Sequence, residues 1–226
     1  MVSYEQTPVR RRAVTKSLKD ARREIILAAA RDLFCKEAFE GITMNTLAAG
    51  AGLAKGTLYL YFRTREEIFL ALLTHELRAW LASFREAVRG FSSPEDALDW
   101  IAASLAGRSA LLRLSALLHT VLERNLSVET AREFKLTFDA GLSAVAPDFA
   151  AALCLTSEDE ADRFLRWLQV CTVGLYPMAS PTPVVQAAIA GEPRLAHMVI
   201  DFQTELRAML GAMVAGMRPK EPGDDK

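Results

Sequence analysis

Apolar residues recur at helical spacing along almost the whole chain, and nowhere do they alternate long enough to make a strand. Ile25, Ile26, Ala29, Leu33 and Phe34 form the first stripe, with Arg22, Arg23, Arg31 and Asp32 between them, and Gly41 ends that helix. A short segment from Met44 to Ala51 follows, headed by Thr43 as N-cap, and a second short one runs from Lys55 to Tyr61. Thr64-Arg65-Glu66-Glu67 is a capping box that opens a long helix bearing Ile68, Leu72, Leu77, Trp80 and Phe84. Ser93-Pro94 starts another, which Gly107 ends. Leu111–Asn125 reads as one strongly apolar helix, and Ser127 opens one that runs to about Pro147. Ser157 and Glu160 cap a helix reaching Leu175, before a turn-rich break from Pro177 to Pro183. Val184 to Ala190 is a short helix, and Leu195 to Met217 carries the last amphipathic stripe. The pattern predicts an all-α protein of about nine to ten helices.

The two short segments and the helix before them have the outline of a helix-turn-helix. Ala48, Ala49 and Ala51 permit close packing, Gly52 can take the positive φ of a tight turn, and Leu53 can plug the core behind it. Leu58 and Phe62, four apart, face inward, which leaves Lys55, Thr57, Tyr59 and Tyr61 outward and Gly56 bare. Such a helix can present side chains to bases and phosphates in a major groove.

Charge supports that reading only once it is divided. The 226 residues carry a formal net charge of −1 and a pI near 6.3, a balance that speaks against nucleic acid. Residues 1–68, however, hold 12 Lys+Arg against 8 Asp+Glu, a net of +4, and the remainder carries −5. A basic end, with Arg10, Arg11 and Arg12 near its start, precedes an acidic body, so the first part favours an anionic partner. The reading by segment is a basic, disordered arm over 1–17, a helix-turn-helix domain over 18–68, a helical effector-binding and dimerisation domain over 69–218, and a disordered tail over 219–226.

Other chemistries find little support. Cys35, Cys154 and Cys171 are an odd number without C-x-x-C spacing, which suits a reducing compartment. The uncharged run Trp167 to Gly191 is broken by three prolines and makes no membrane span, and no apolar leader opens the chain, so a cytoplasmic protein is expected. His75, His119 and His197 fall on different helices without metal-ligand spacing, and no nucleophile elbow or phosphate loop is present. No cofactor, no metal and no catalytic residue are therefore expected. An all-α enzyme is the least favoured alternative, and a small-molecule carrier with a vestigial DNA-binding end is another.

The stretch Thr43-Met44-Asn45-Thr46-Leu47-Ala48, Ala51-Gly52-Leu53-Ala54-Lys55-Gly56-Thr57-Leu58-Tyr59-Leu60-Tyr61-Phe62 and then Arg65-Glu66-Glu67 resembles the DNA-binding domain of TetR-family transcriptional regulators. The resemblance covers roughly residues 20–75; beyond it only length, helix count and the acidic body correspond. It implies a ligand-responsive repressor that binds a pseudo-palindromic double-stranded operator as a homodimer and is released by a small apolar or amphipathic effector. It implies DNA contacts from Thr43, Thr46, Lys55, Gly56, Thr57, Tyr59 and Tyr61, with Arg65 meeting a phosphate at a helix start. Ala54 departs from the Ser common there, removing a side-chain cap. The body is implied to hold an effector cavity, for which Trp100, His119, Phe134, Phe138, Trp167, Cys171 and Tyr176 are candidates. Phe164 and Leu168 on one helix, with Phe202, Leu206, Met209 and Met213 on the last, are the dimerisation candidates.

Overall fold

The computed structural model describes residues 8–217. Among them are eleven α-helices, short 3-10 turns and no strand. Residues 1–7 of the expected arm and the expected tail lie outside the described residues; from Pro8 onward the backbone is already helical, though the side chains of 8–17, Arg10 to Arg12 included, are also outside that set. The chain divides into two compact units at Leu72/Leu73, inside a continuous helix.

The first unit holds α1 (Pro8–Lys36), α2 (Met44–Gly50), α3 (Lys55–Tyr59) and the start of α4 (Arg65–Ala87). Ile26, Phe34, Phe39, Leu47, Leu58, Phe62 and Phe69 are all but inaccessible to solvent and make its core. Phe69 sits at 5.3 Å from Phe34 and 5.1 Å from Phe39, tilted or edge-on as aromatic quadrupoles prefer.

The second unit continues α4 and adds α5 (Pro94–Ala106), α6 (Ser109–Leu118), α7 (Val128–Ser143), α8 (Ala146–Leu153), α9 (Glu158–Ala179), α10 (Pro183–Ala190) and α11 (Phe202–Met217). Helices α5, α8, α9 and α11 pack on one another. The core is aromatic: Phe84 stacks on Phe149 at 3.8 Å, and Trp80 donates its indole N–H to Ser104 Oγ at 3.0 Å.

Four boundaries differ from the pattern. The helix expected over 111–125 breaks after Leu118 and resumes as a 3-10 turn at Leu122. Leu118 and Leu122 are both buried, so the apolar period runs across a break that only the backbone records. Pro147 opens α8 rather than ending α7, since a first turn has no use for its missing N–H. Pro177 lies inside α9, which runs two residues further to Ala179, so the helix continues past it at the loss of the one hydrogen bond that an N–H there would give. The last stripe splits into a 3-10 turn at Pro193–Met198 and α11, where Asp201 Oδ1 accepts from the Thr204 N–H at 2.8 Å.

Candidate functional site

In the first unit, α2 is fixed by a reciprocal cap. The Thr43 hydroxyl accepts from the Thr46 N–H at 3.2 Å, and the Thr46 hydroxyl accepts from the Thr43 N–H at 2.9 Å. The turn to α3 closes with Gly52 at φ +64° and the Leu53 N–H on Ala48 O at 2.9 Å. A Cβ at Gly52 would meet nothing within 4 Å, so backbone conformation alone asks for glycine there. Ala54 caps α3 without a side-chain hydrogen bond, as its missing hydroxyl implies.

Leu58 and Phe62 are buried, and the Arg23 guanidinium lies 4.5 Å from the Phe62 ring centroid, covering the inner side. Lys55, Gly56 and Tyr59 are exposed, and Thr57 and Tyr61 are half-buried. Thr43 and Thr46 are exposed with hydroxyls engaged in the cap. One side chain that sequence reasoning missed joins this surface: Leu60, 77% exposed. An apolar residue in an apolar-rich stretch carries no sign of being outward, and only the phase set by Leu58 and Phe62 reveals it.

Arg65 begins α4 and is tied to the segment before α2. Its Nη1 donates to Ile42 O at 2.7 Å and Phe39 O at 3.1 Å, its Nε pairs with Glu66 at 3.0 Å, and its guanidinium lies 4.3 Å from the Phe39 ring centroid. This fork staples the start of α4 to the segment before α2. Glu67 completes the cap at Thr64 but sends its carboxylate to the Arg63 N–H at 2.7 Å.

The second unit contains two cavities that share walls. The inner one, about 60 Å3, is walled by leucines of α4, α5, α6, α7 and α9 with Trp80 and Phe138; Ser115, Gln169 and Thr172 are its polar members. Thr172 spends its hydroxyl on Leu168 O and Gln169 O, both at 2.9 Å. The outer one is an open groove of about 870 Å3 between α7 and α9, bordered by Arg132, Lys135, Asp139, Asp162 and Arg166. At its edge Glu123 accepts from His119 Nδ1 at 2.9 Å and pairs with Lys135 Nζ at 2.6 Å.

Of the expected effector residues, Phe138 lines both cavities, and Phe134 and His119 line the groove. Trp100 does not border either; it packs on Phe84 at 5.7 Å. Tyr176 packs edge-on against Phe202 at 6.0 Å, Cys171 is buried outside both linings, and Trp167 is 40% exposed. Ser115, Gln169 and Thr172 were missed; the last two sit four residues after Leu165 and Leu168 respectively, which places them on that inward face.

The dimerisation candidates need correction. Phe164, Leu168 and Leu206 are buried within the protomer, because the most apolar stripe of each helix packs inward. Phe202 and Met213 are half-buried, and only Met209 of the set is exposed. The outward apolar residues of α9 are instead Trp167, Val170 and Met178; α10, which has no charge, exposes Val184 and Val185 and buries nothing.

A capped three-helix reader with a glycine turn, followed by an all-helical unit with a leucine-lined cavity, defines a helix-turn-helix regulator architecture. The family model described as "Bacterial regulatory proteins, tetR family" matches residues 26–72, and "Tetracyclin repressor-like, C-terminal domain" matches 74–221. The chain belongs to the TetR family. Among curated relatives, the regulator YfiR of Bacillus subtilis is 40% identical over 60 residues, covering 26% of this chain and 29% of the relative. RutR of Escherichia coli is 37% identical over 87 residues, covering 37% and 39%. These matches span well under half the length of either relative. Over nearly the whole chain the fold is shared with FadR of Thermus thermophilus, solved with lauroyl-CoA: TM-score 0.58, 19% identity, 90% of this chain and 99% of that one. FadR of Bacillus halodurans aligns with TM-score 0.56, 14% identity, and covers 88% and 97%.

Proposed function

We propose that this protein is a ligand-responsive transcriptional repressor that binds a pseudo-palindromic operator as a homodimer and leaves it when a small apolar or amphipathic effector enters the second unit. The observation that carries the reading is the capped helix-turn-helix with Lys55, Gly56, Thr57 and Tyr59 directed away from a buried Leu58–Phe62 seam. Two such readers related by a two-fold axis match two half-sites. The outward faces of α9 and α11, with α10 between them in sequence, are the proposed dimer surface, since large apolar faces rarely stay open to water.

Helix α4 links the two tasks. Leu73, Leu77 and Trp80 line the inner cavity, and Arg65, at the start of the same unbroken helix, is stapled to the backbone at Phe39 and Ile42. An effector that displaces those three side chains biases α4 and thereby the reader, with coupling of roughly 1–3 kcal/mol.

The test is selection of genomic fragments by the purified protein, followed by a screen for release that includes lauroyl-CoA, the ligand named for the Thermus FadR structure. Binding should weaken steeply as salt rises. Lys55→Ala and Tyr59→Ala should each weaken operator binding about tenfold, within the usual range for a lost phosphate or base contact, with unchanged thermal melts. Recovery of no fragment would favour the small-molecule carrier instead.

A further inference from the structure

We propose that Leu60, together with the bare backbone of Gly56, reads the 5-methyl group of a thymine in each operator half-site; the inference rests on the DNA-binding reading above. The helical turn of α3 continues past Tyr59. The Leu60 N–H donates to Thr57 O at 3.2 Å, the Phe62 N–H donates to Leu58 O at 3.1 Å, and Leu60 itself has φ −72° and ψ −17°. At about 100° per residue, Leu60 lies nearly opposite the mean direction of Leu58 and Phe62, which are buried at 0% and 3% exposure. Its isobutyl group therefore points directly away from the core, and at 77% it is the most exposed large apolar side chain described in the first unit. Gly56, one turn earlier, shares that outermost face, and a Cβ built there meets nothing within 4 Å. The ridge that leads toward a duplex thus consists of a gap followed by a hydrocarbon.

That pairing suits one element of B-DNA. Major-groove base edges offer hydrogen-bond donors and acceptors, for which a leucine has no use, and a single apolar group, the thymine methyl. A missing side chain at Gly56 lets the helix backbone approach the groove floor, which brings the Leu60 methyls within contact of the base one turn along. Tyr59 and Thr57, on either side of this ridge, are suited to phosphates and polar edges, so the apolar reading falls to Leu60.

The test uses the full-length protein and the operator recovered by selection. Each thymine is replaced in turn by uracil, which removes only the methyl group, and binding is measured at fixed salt for wild type and Leu60→Ala. Burial of one methyl corresponds to about a fourfold change in affinity. Wild type should therefore lose about fourfold at one thymine per half-site, and about tenfold or more when both are replaced. Leu60→Ala, which should melt as wild type does, should bind the thymine and uracil operators alike. Indifference of wild type to every uracil, or a full uracil penalty retained by Leu60→Ala, would overturn the inference. So would a loss in Leu60→Ala that is uniform across operators, which would put the side chain against the sugar-phosphate backbone. Failure of the DNA-binding reading is a distinct result, namely that no fragment is enriched at all, and it removes this inference too.

Discussion

Cys154 is the one described non-glycine residue with positive φ, 53°, where it ends α8 and lets the Leu155 N–H reach Ala150 O at 2.9 Å. An L-residue in the left-handed region costs about 1–2 kcal/mol, part of which glycine would return to the unfolded chain as entropy. Cys154→Gly should accordingly raise stability by about 0.5–1 kcal/mol, read as a higher urea midpoint; a lower midpoint would mean that the thiol makes a compensating contact. Nothing in the sequence marks this position, because the strained cap uses a residue that ordinarily signals neither turn nor cap. Thr43 is the opposite case: its role was legible because N-cap chemistry is local. Arg65 shows the reverse, an intramolecular role that is not local. Its partners are backbone carbonyls of Phe39 and Ile42, which no side-chain pattern encodes.

At the scale of elements, serine-capped starts were legible and interruptions were not. Ser93, Ser127 and Ser157 cap α5, α7 and α9 as their hydroxyls suggest. The break after α6 escaped notice because buried residues on either side keep one phase. That break is held by Glu123, which joins the end of α6 at His119 to α7 at Lys135. Partial burial pushes the Glu123 carboxyl upward, but Lys135 and His119 together outweigh it and hold it below the ordinary glutamate value. A depressed acid stabilises the folded state fully above the unfolded pKa, about 4.3, and loses that contribution as pH falls through the lower folded value. Glu123→Gln should therefore be less stable than wild type at pH 7, with the gap closing below about pH 4. Urea midpoints at pH 7 and 3.5 check this, and a gap that stays constant would assign the loss to something other than the charge.

At the scale of the molecule, the division of charge into a basic reader and an acidic body was legible, as was the all-α class. The inward and outward faces of α9 and α11 were confounded, because both sides of α9 are apolar and sequence cannot say which one a core consumes. The exposed Val170 and Trp167 now give the sharper test. Val170→Lys should leave the melt of the protomer nearly unchanged, yet shift sedimentation to a monomer and weaken operator binding by at least tenfold, as loss of the second half-site requires. A dimer that survives this substitution would place the interface elsewhere.

The leucine-walled chamber beside Trp80 has a further consequence, in volume rather than in affinity. Space inside a folded protein vanishes on unfolding, so hydrostatic pressure favours the unfolded chain in proportion to that space. The protein with this cavity unfilled should therefore yield at lower pressure than the protein with it filled. A molecule that fills it raises the pressure midpoint whether or not DNA is present. Trp80 lines the chamber and its indole is buried, so in a variant whose Trp100 and Trp167 are replaced by Phe its emission reports the event.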